Sequence, residues 1–383
     1  MNEDGEWTAM RRIGIGIIGW GFMGKTHTHA IRSIPLFYPG IDFQPELVGV
    51  CSRTMSKAEE ARELFGFRFA TGDYRKLLAC EDIDVVSICT PNGQHEQMAI
   101  DALKAGKHVY IDKPLSTDGE SALRILAAAE NAPGKAQVVL NNRFLTSTMR
   151  AKQLVEEGKI GEVLSFTCRY LHSGSIDPDR PMGWKQGMEG GVLLDLGSHA
   201  LDLVTWLIGM PKDVFCAMNT VYDKRPTREG GICNEISEDH ALMMLRMKNG
   251  ALGTVEASKI TSGTADEMYL EIAGTKGAIR WNLMEPNWLE YYDNTQPEVA
   301  LGGMRGFTRI ECVGRYPAPG GVFLPSKNAI GWDRGHIHCY YSFLDCVAHG
   351  KEPHPSLSEG ARLQVMMDRL AQSAREGRWV ALD

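Results

Sequence analysis

Between residues 13 and 24 the chain reads IGIGIIGWGFMG: an apolar run, Ile13 to Ile18, followed by glycines at positions 19, 21 and 24. Such a run reads as a strand buried on both faces. The glycine spacing then constrains the turn after it. Gly19 permits a tight turn, Gly21 lets a pyrophosphate approach the backbone, and Gly24 lets the next helix pack closely on the strand. The helix N-terminus would face the anion, with Phe22 and Met23 as further cofactor contacts in the turn before it. The segment predicts a dinucleotide-binding βαβ unit within a parallel sheet.

The rest of the first third keeps that rhythm. Strands are expected at Leu47 to Cys51, Val85 to Cys89, His108 to Ile111 and Gln137 to Leu140. Helices fit Lys25 to Ser33, Ser56 to Phe65, His95 to Ala105 and Thr117 to Asn131. Ile34 to Pro45 contains three prolines and reads as a loop inserted before the second strand. Past Asn141 the pattern changes to one helix (Met149 to Glu157), a strand (Val163 to His172), an apolar helix, and a series of long β-like segments. Two turns, Lys248-Asn249-Gly250 and Gly274-Thr275-Lys276-Gly277, carry hairpin chemistry. Helices over Ile337 to His349 and Glu359 to Glu376 close the chain. The expected architecture is α/β: a Rossmann NAD(P)-binding domain over 1–140, then an α+β domain over 141–383 with a broad, mostly antiparallel sheet.

Composition narrows the possible functions. A length of 383 residues suits two domains. A net charge of −7 without any dense Lys/Arg run argues against nucleic acid or an anionic membrane as partner. Nine scattered cysteines without a C-x-x-C pair suit reduced thiols in a cytoplasm. MNEDGEWTAMRR lacks the apolar core of a signal peptide. The most membrane-like window, Val192 to Met210, holds Asp195, His199 and Asp202, and an Asp alone costs about 3 kcal/mol at mid-bilayer. No span is expected there.

Cofactor choice turns on the second strand, which should end in an acid that holds a ribose 2′-hydroxyl. It ends VGVCSRT instead, so Ser52 and Arg53 suit a 2′-phosphate and favour NADP over NAD. CTPNGQH at a further strand end places Thr90, Pro91, Asn92 and His95 towards the cofactor crevice. HVYIDKPLS places Asp112 and Lys113 at another, with Lys113 in reach of a nicotinamide.

GGVLLDLGSHALD raises a separate question. At about 100° per residue Asp195, His199 and Asp202 fall on one polar stripe of an otherwise apolar helix. A buried Asp needs a partner. An internally satisfied Asp–His pair that ties the helix to its surroundings would serve, and so would a catalytic group.

Together GWGFMG, TPNGQH, DKP and GGVLLDLGSHALD, in this order, resemble the glucose-fructose oxidoreductase/inositol dehydrogenase (Gfo/Idh/MocA) family over nearly the whole chain. Asp112 replaces the more typical Glu of a Glu-Lys-Pro motif. The resemblance implies a Rossmann domain followed by an α/β domain whose open sheet packs subunits into dimers or tetramers. It also implies a catalytic lysine at Lys113, aspartate at Asp195 and histidine at His199.

On that basis the stripe acquires a purpose. Oxidising a secondary alcohol with NAD(P) removes a hydride from carbon and a proton from oxygen. His199 would take the proton, Asp195 would orient and stabilise the imidazole or bind a neighbouring hydroxyl, and Lys113 would donate to the reacting oxygen. No metal is required, although Asp195 and His199, with His336 and His338, are conceivable ligands. Tyr-x-x-x-Lys, the short-chain dehydrogenase signature, is absent from all eleven tyrosines. Substrate contacts are expected from Arg143, Trp184 and His336, with Arg169, His172 and Lys185 as further candidates. The expected substrate is a small polyhydroxylated molecule: a sugar, anhydrosugar, glycoside or inositol. Two rivals are a redox-assisted glycoside-cleaving enzyme, which would release aglycone without net cofactor reduction, and a dinucleotide-sensing regulator without turnover.

Overall fold

Ile13, Ile15, Ile17 and Ile18 are each at most 1% exposed, because the strand that carries them has neighbours on both sides and helices on both faces. The computed structural model of the protein describes residues 10–187 and 189–382. Six parallel strands form the first sheet: β1 (Arg11–Ile18), β2 (Phe43–Cys51), β3 (Phe69–Thr71), β4 (Val85–Ile88), β5 (His108–Asp112) and β6 (Ala136–Val139). Their order is β3-β2-β1-β4-β5-β6. The order reverses between β1 and β4, which opens a crevice at the carboxyl ends of the strands. Helices α1 (Phe22–Phe37), α2 (Met55–Phe65), α3 (Arg75–Leu78), α4 (His95–Lys104) and α5 (Gly119–Glu130) connect them.

The expected proline-rich loop does not form. α1 runs through Pro35 to Phe37, and β2 already begins at Phe43. Pro35 lies in the last turn, where Ile31, Ile34 and Tyr38 are fully buried and outweigh one lost backbone bond. Pro45 pairs with Ile13, but β3 reaches β2 only from Gly49 onwards. At that edge position a missing donor is tolerated.

The second sheet has nine strands: β7 (Val163–Leu171), β8 (Asp213–Asn219), β11 (His240–Arg246), β12 (Leu252–Ser258), β13 (Glu267–Gly274), β14 (Gly277–Asn282), β15 (Trp288–Asp293), β16 (Phe307–Glu311) and β17 (Val380–Ala381). They are ordered β16-β15-β14-β13-β7-β12-β11-β8-β17. A separate small hairpin joins β9 (Arg225–Pro226) to β10 (Ile232–Cys233). Both expected turns form hairpins, β11–β12 and β13–β14. Only β7 and β12 run parallel, so their carboxyl ends lie side by side.

Helices α6 (Thr146–Glu156), α7 (Ser198–Ile208) and α9 (Leu357–Glu376) cover one face of this sheet. β11 alternates accordingly: Ala241, Met243 and Leu245 are buried, while Leu242 and Met244 are exposed. α8 (Trp332–His349) goes elsewhere. It crosses back to α1 and buries Ile337, Tyr340, Phe343 and Leu344 in one cluster with the isoleucines of β1. A helix from the end of the chain thus completes the first core. Among the described residues no helix is long and apolar enough to cross a membrane.

Candidate active site

A cleft of about 1160 Å³ lies at the carboxyl ends of the parallel strands and extends to the second sheet. Each glycine of the first turn has its own constraint. Gly19 has φ +101°, and a Cβ there would lie 2.6 Å from the Cys89 carbonyl oxygen. At Gly24 a Cβ would meet the Gly19 oxygen at 2.1 Å. Gly21 has nothing within 4 Å of that position and faces the open cleft. A side chain at the first or third glycine would collide with the backbone, and one at the second would fill the space left for a ligand. This cradle fits a dinucleotide pyrophosphate. Phe22 and Met23 line the same cleft, with Phe22 stacked on Trp332.

Ser52 and Arg53 reach the cleft at the end of β2, beside Lys57 and Tyr74. Among the described residues that line the cleft at this strand end there is no carboxylate. Thr90, Pro91 and Asn92 line the crevice as expected, and Asn92 Nδ2 donates to the Glu189 carbonyl across it, at 2.9 Å. His95 does not reach the cleft. It is buried, with Nδ1 3.0 Å from the Pro114 oxygen and Nε2 2.9 Å from the Thr90 oxygen. The ring therefore ties together the two loops that do line the site.

Lys113 and Asp195 meet from opposite sides of the cleft. Lys113 Nζ donates to the Asp195 backbone oxygen at 2.6 Å and to its Oδ1 at 3.0 Å. Lys185 Nζ lies 2.7 Å from Oδ1, and Lys259 Nζ 3.4 Å from Oδ2. Burial acts to raise the Asp195 carboxyl, but the ammonium groups of Lys113, Lys259 and Lys185 outweigh it and hold it well below the ordinary range. Asp112, buried behind Lys113, is raised by desolvation.

The expected single stripe is broken. Leu193–Gly197 forms a π-helical turn ahead of α7, which changes the angular phase. Such turns are frequent at functional sites. Asp195 is consequently bound to lysines, not to His199. His199 Nδ1 has only a long 3.5 Å contact with Asn142 Nδ2, and its ring packs against Tyr170 beside the cleft. Burial, followed by the charge on Lys113, holds its pKa well below 6.5, so the imidazole is neutral. Asp202 faces away and binds Arg143 at 2.5 Å.

That pairing removes Arg143 from the substrate side. Its guanidinium is buried and bonded to Asp202 and to Glu359, and it is not among the residues that line the cleft. Arg169 likewise pairs with Glu267 on the sheet surface. Trp184 and His336 do line the cleft, as do His172 and Lys185. His336 is buried, and neither ring nitrogen has a partner among the described residues. His338 is turned to the other side of α8, where it bonds the Tyr38 hydroxyl at 2.8 Å.

Sequence reasoning missed Lys259, Tyr170, Asp266 and Asn142. Lys259 follows β12 as His172 follows β7, and the parallel pairing of these strands puts both beside Asp195. No local motif announces that register.

Known proteins share this fold. Sequence models of the Gfo/Idh/MocA oxidoreductases match at residues 13–140, the NAD-binding Rossmann fold, and at 152–382, the C-terminal alpha/beta domain. Levoglucosan dehydrogenase of Pseudarthrobacter phenanthrenivorans is 30% identical over 97% of this chain and 98% of its own. Myo-inositol 2-dehydrogenase of Thermotoga maritima is 28% identical over 69% and 74% respectively. The solved complex of levoglucosan dehydrogenase with NADH and levoglucosan has a TM-score of 0.92 at 30% identity, covering 97% of this chain and 100% of that one. An NAD binding oxidoreductase from Klebsiella pneumoniae has a TM-score of 0.90 at 29% identity, covering 97% and 99%. With both domains matched, in order and over most of its length, this chain belongs to the Gfo/Idh/MocA family of oxidoreductases.

Proposed function

We propose that the protein oxidises or reduces a secondary hydroxyl or carbonyl group of a sugar, anhydrosugar, glycoside or inositol. The observation that carries this reading is the convergence of Lys113, Asp195 and His199 on one cleft with the glycine turn. NAD or NADP, when bound, supplies the hydride chemistry. Gly19, Gly21, Phe22 and Met23 would hold its pyrophosphate, with Thr90, Pro91 and Asn92 lining the far side.

Three side chains divide the remaining work. An ammonium group has three N–H donors. Lys113 gives two to Asp195 and keeps one for the substrate oxygen, where it stabilises developing negative charge. Asp195 is then the residue that aims Lys113. His199, kept neutral by its surroundings, is in the form that accepts the hydroxyl proton. A screen of polyols with both cofactors, followed by nicotinamide absorbance, tests the reading. Absence of turnover across neutral and acidic sugars and inositols overturns it.

Ser52 and Arg53 support a preference for NADP, since a hydroxyl and a guanidinium complement a phosphate better than a ribose hydroxyl. Nine cysteines, all unpaired, support a cytoplasmic location. Leu164, Leu242, Met244 and Leu252 on the uncovered face of the second sheet support pairing of subunits through that face.

A further inference from the structure

A second cavity, of about 390 Å³, lies beyond Asp195 and shares His172, Lys185 and Asp195 with the main cleft. Its far wall is Ser173 to Ser175 and Arg180, from the loop after β7. We propose that this cavity is an anion subsite, and that the substrate carries a carboxylate or phosphate group on the side away from the reacting carbon. The proposal rests on the sugar-oxidoreductase reading above and names the substrate class within it.

The wall offers donors. Arg180 gives one N–H to the Gly174 carbonyl and makes no ion pair among the described residues, which leaves the rest of its fork available. Lys185 spends one N–H on Asp195. His172 Nδ1 accepts the Gly174 N–H at 3.0 Å, so the proton of the neutral ring must sit on Nε2, as a further donor. Ser175 is 1% exposed, and its hydroxyl has no partner among the described residues. Lys259, also buried, adds charge while its own donors are spent on the Lys185 and Gly191 carbonyls and on Asp195. The carboxylates acting on these groups are Asp195, already shared with Lys113, Asp112 and Asp266 on the main-cleft wall near Lys185, and Glu238 near Lys259.

The loop is held in shape from behind. Arg225, 2% exposed, donates to the carbonyls of Ser175 and Asp177, and Tyr222 donates to Ile176. Three donors thus fix three successive carbonyls and hold the concave wall in shape. Such preorganisation favours binding of a charged group, because the cost of ordering the wall is not added to the cost of desolvating the charge.

Calorimetric titration of the NADH-loaded protein with D-glucose, D-glucuronate and D-glucose 6-phosphate tests this directly. At least one acidic sugar should bind about tenfold or more tightly than glucose, the scale of one charge-assisted hydrogen bond. Which of the two does so identifies carboxylate or phosphate. Arg180→Gln, at an exposed site outside the catalytic groups, should erase that advantage while glucose affinity and melting temperature stay unchanged. Equal affinity for all three sugars, or an advantage that survives Arg180→Gln, overturns the subsite. Turnover is read separately. An anion preference without any oxidation leaves the subsite standing and removes the dehydrogenase reading, and oxidation without the preference does the reverse.

Discussion

Lys113 Nζ stands 3.0 Å from Asp195 Oδ1, and the two residues come from different halves of the chain. Lys113 directly follows β5 of the parallel sheet, whereas Asp195 sits in the π-helical turn that leads into α7 against the other sheet. The proposed catalytic pair therefore exists only where elements of the two sheets meet. It also pairs the aspartate with the lysine, so functional coupling should follow that pair and not the Asp195–His199 pair that helical spacing suggests.

The first expectation is that Lys113→Met cuts kcat to a small residual rate while cofactor affinity stays within about threefold, since the glycine turn carries the dinucleotide. Asp195→Asn should lower kcat strongly, and the double variant should be little worse than Lys113→Met alone. Additive losses in kcat would show that Asp195 acts on something other than the lysine.

His199 separates from that pair. His199→Ala should lower kcat by roughly 10²–10⁴, the usual span for a lost general acid–base group. The ring makes one long hydrogen-bond contact and borders the cleft, so the melting temperature should shift little. A marked loss of melting temperature with near-normal kcat per folded molecule would make His199 a structural residue.

At the second strand end the measurement is a ratio. Arg53→Ala should raise the apparent KM for NADP far more than for NAD, by an amount on the order of 1.5–3 kcal/mol for a charge-assisted contact. Equal effects on the two cofactors, or a wild-type enzyme with strong NAD preference, would remove Arg53 from phosphate recognition.

How much was legible in the sequence depends on how local each cause is. Gly19, Gly21 and Gly24 announce themselves because turn geometry and close packing act within a few residues. Strand–helix alternation is equally local, which is why the parallel sheet could be read in advance. Asp202 looked like part of a functional stripe, yet its partner Arg143 lies on another element, and the phase between Asp195 and Asp202 is altered by a π-turn that no residue pattern signals. Lys259 was invisible for a related reason: it reaches Asp195 only because β7 and β12 run parallel. Pro35 misled in the other direction. Helical packing of Ile31, Ile34 and Tyr38 overrode the local preference to end there.

Arg143 gives a test of stability alone. Arg143→Ala leaves the Asp202 carboxylate buried without its cation, and breaking a buried pair from one side costs about 3–5 kcal/mol. Chemical denaturation should show that loss. KM for the sugar, measured well below the melting temperature, should be unchanged, because no atom of Arg143 lines the cleft. A selective rise in KM with full stability would return Arg143 to the substrate site.

The last prediction concerns acid. His27 lies between β4 and α8, fully buried, and burial lowers its pKa to about 4. His338, enclosed by Tyr38, Tyr316 and Phe144, is lowered to about 3, again mainly by burial. In the unfolded chain both titrate near 6.5. Below that value the unfolded state binds protons that the folded state refuses, so stability must fall as the pH drops from about 6.5 towards the folded values. Above about 7 both rings are neutral in either state and contribute no slope. Melting curves should therefore be flat in this respect between pH 7 and 8 and shift downwards from pH 6.5 to 5. His338→Gln, which keeps a polar group against the Tyr38 hydroxyl without a titrating site, should lessen the acid slope even if it lowers stability at pH 7. An acid slope identical to wild type in that variant would show that His338 is not held neutral in the folded protein.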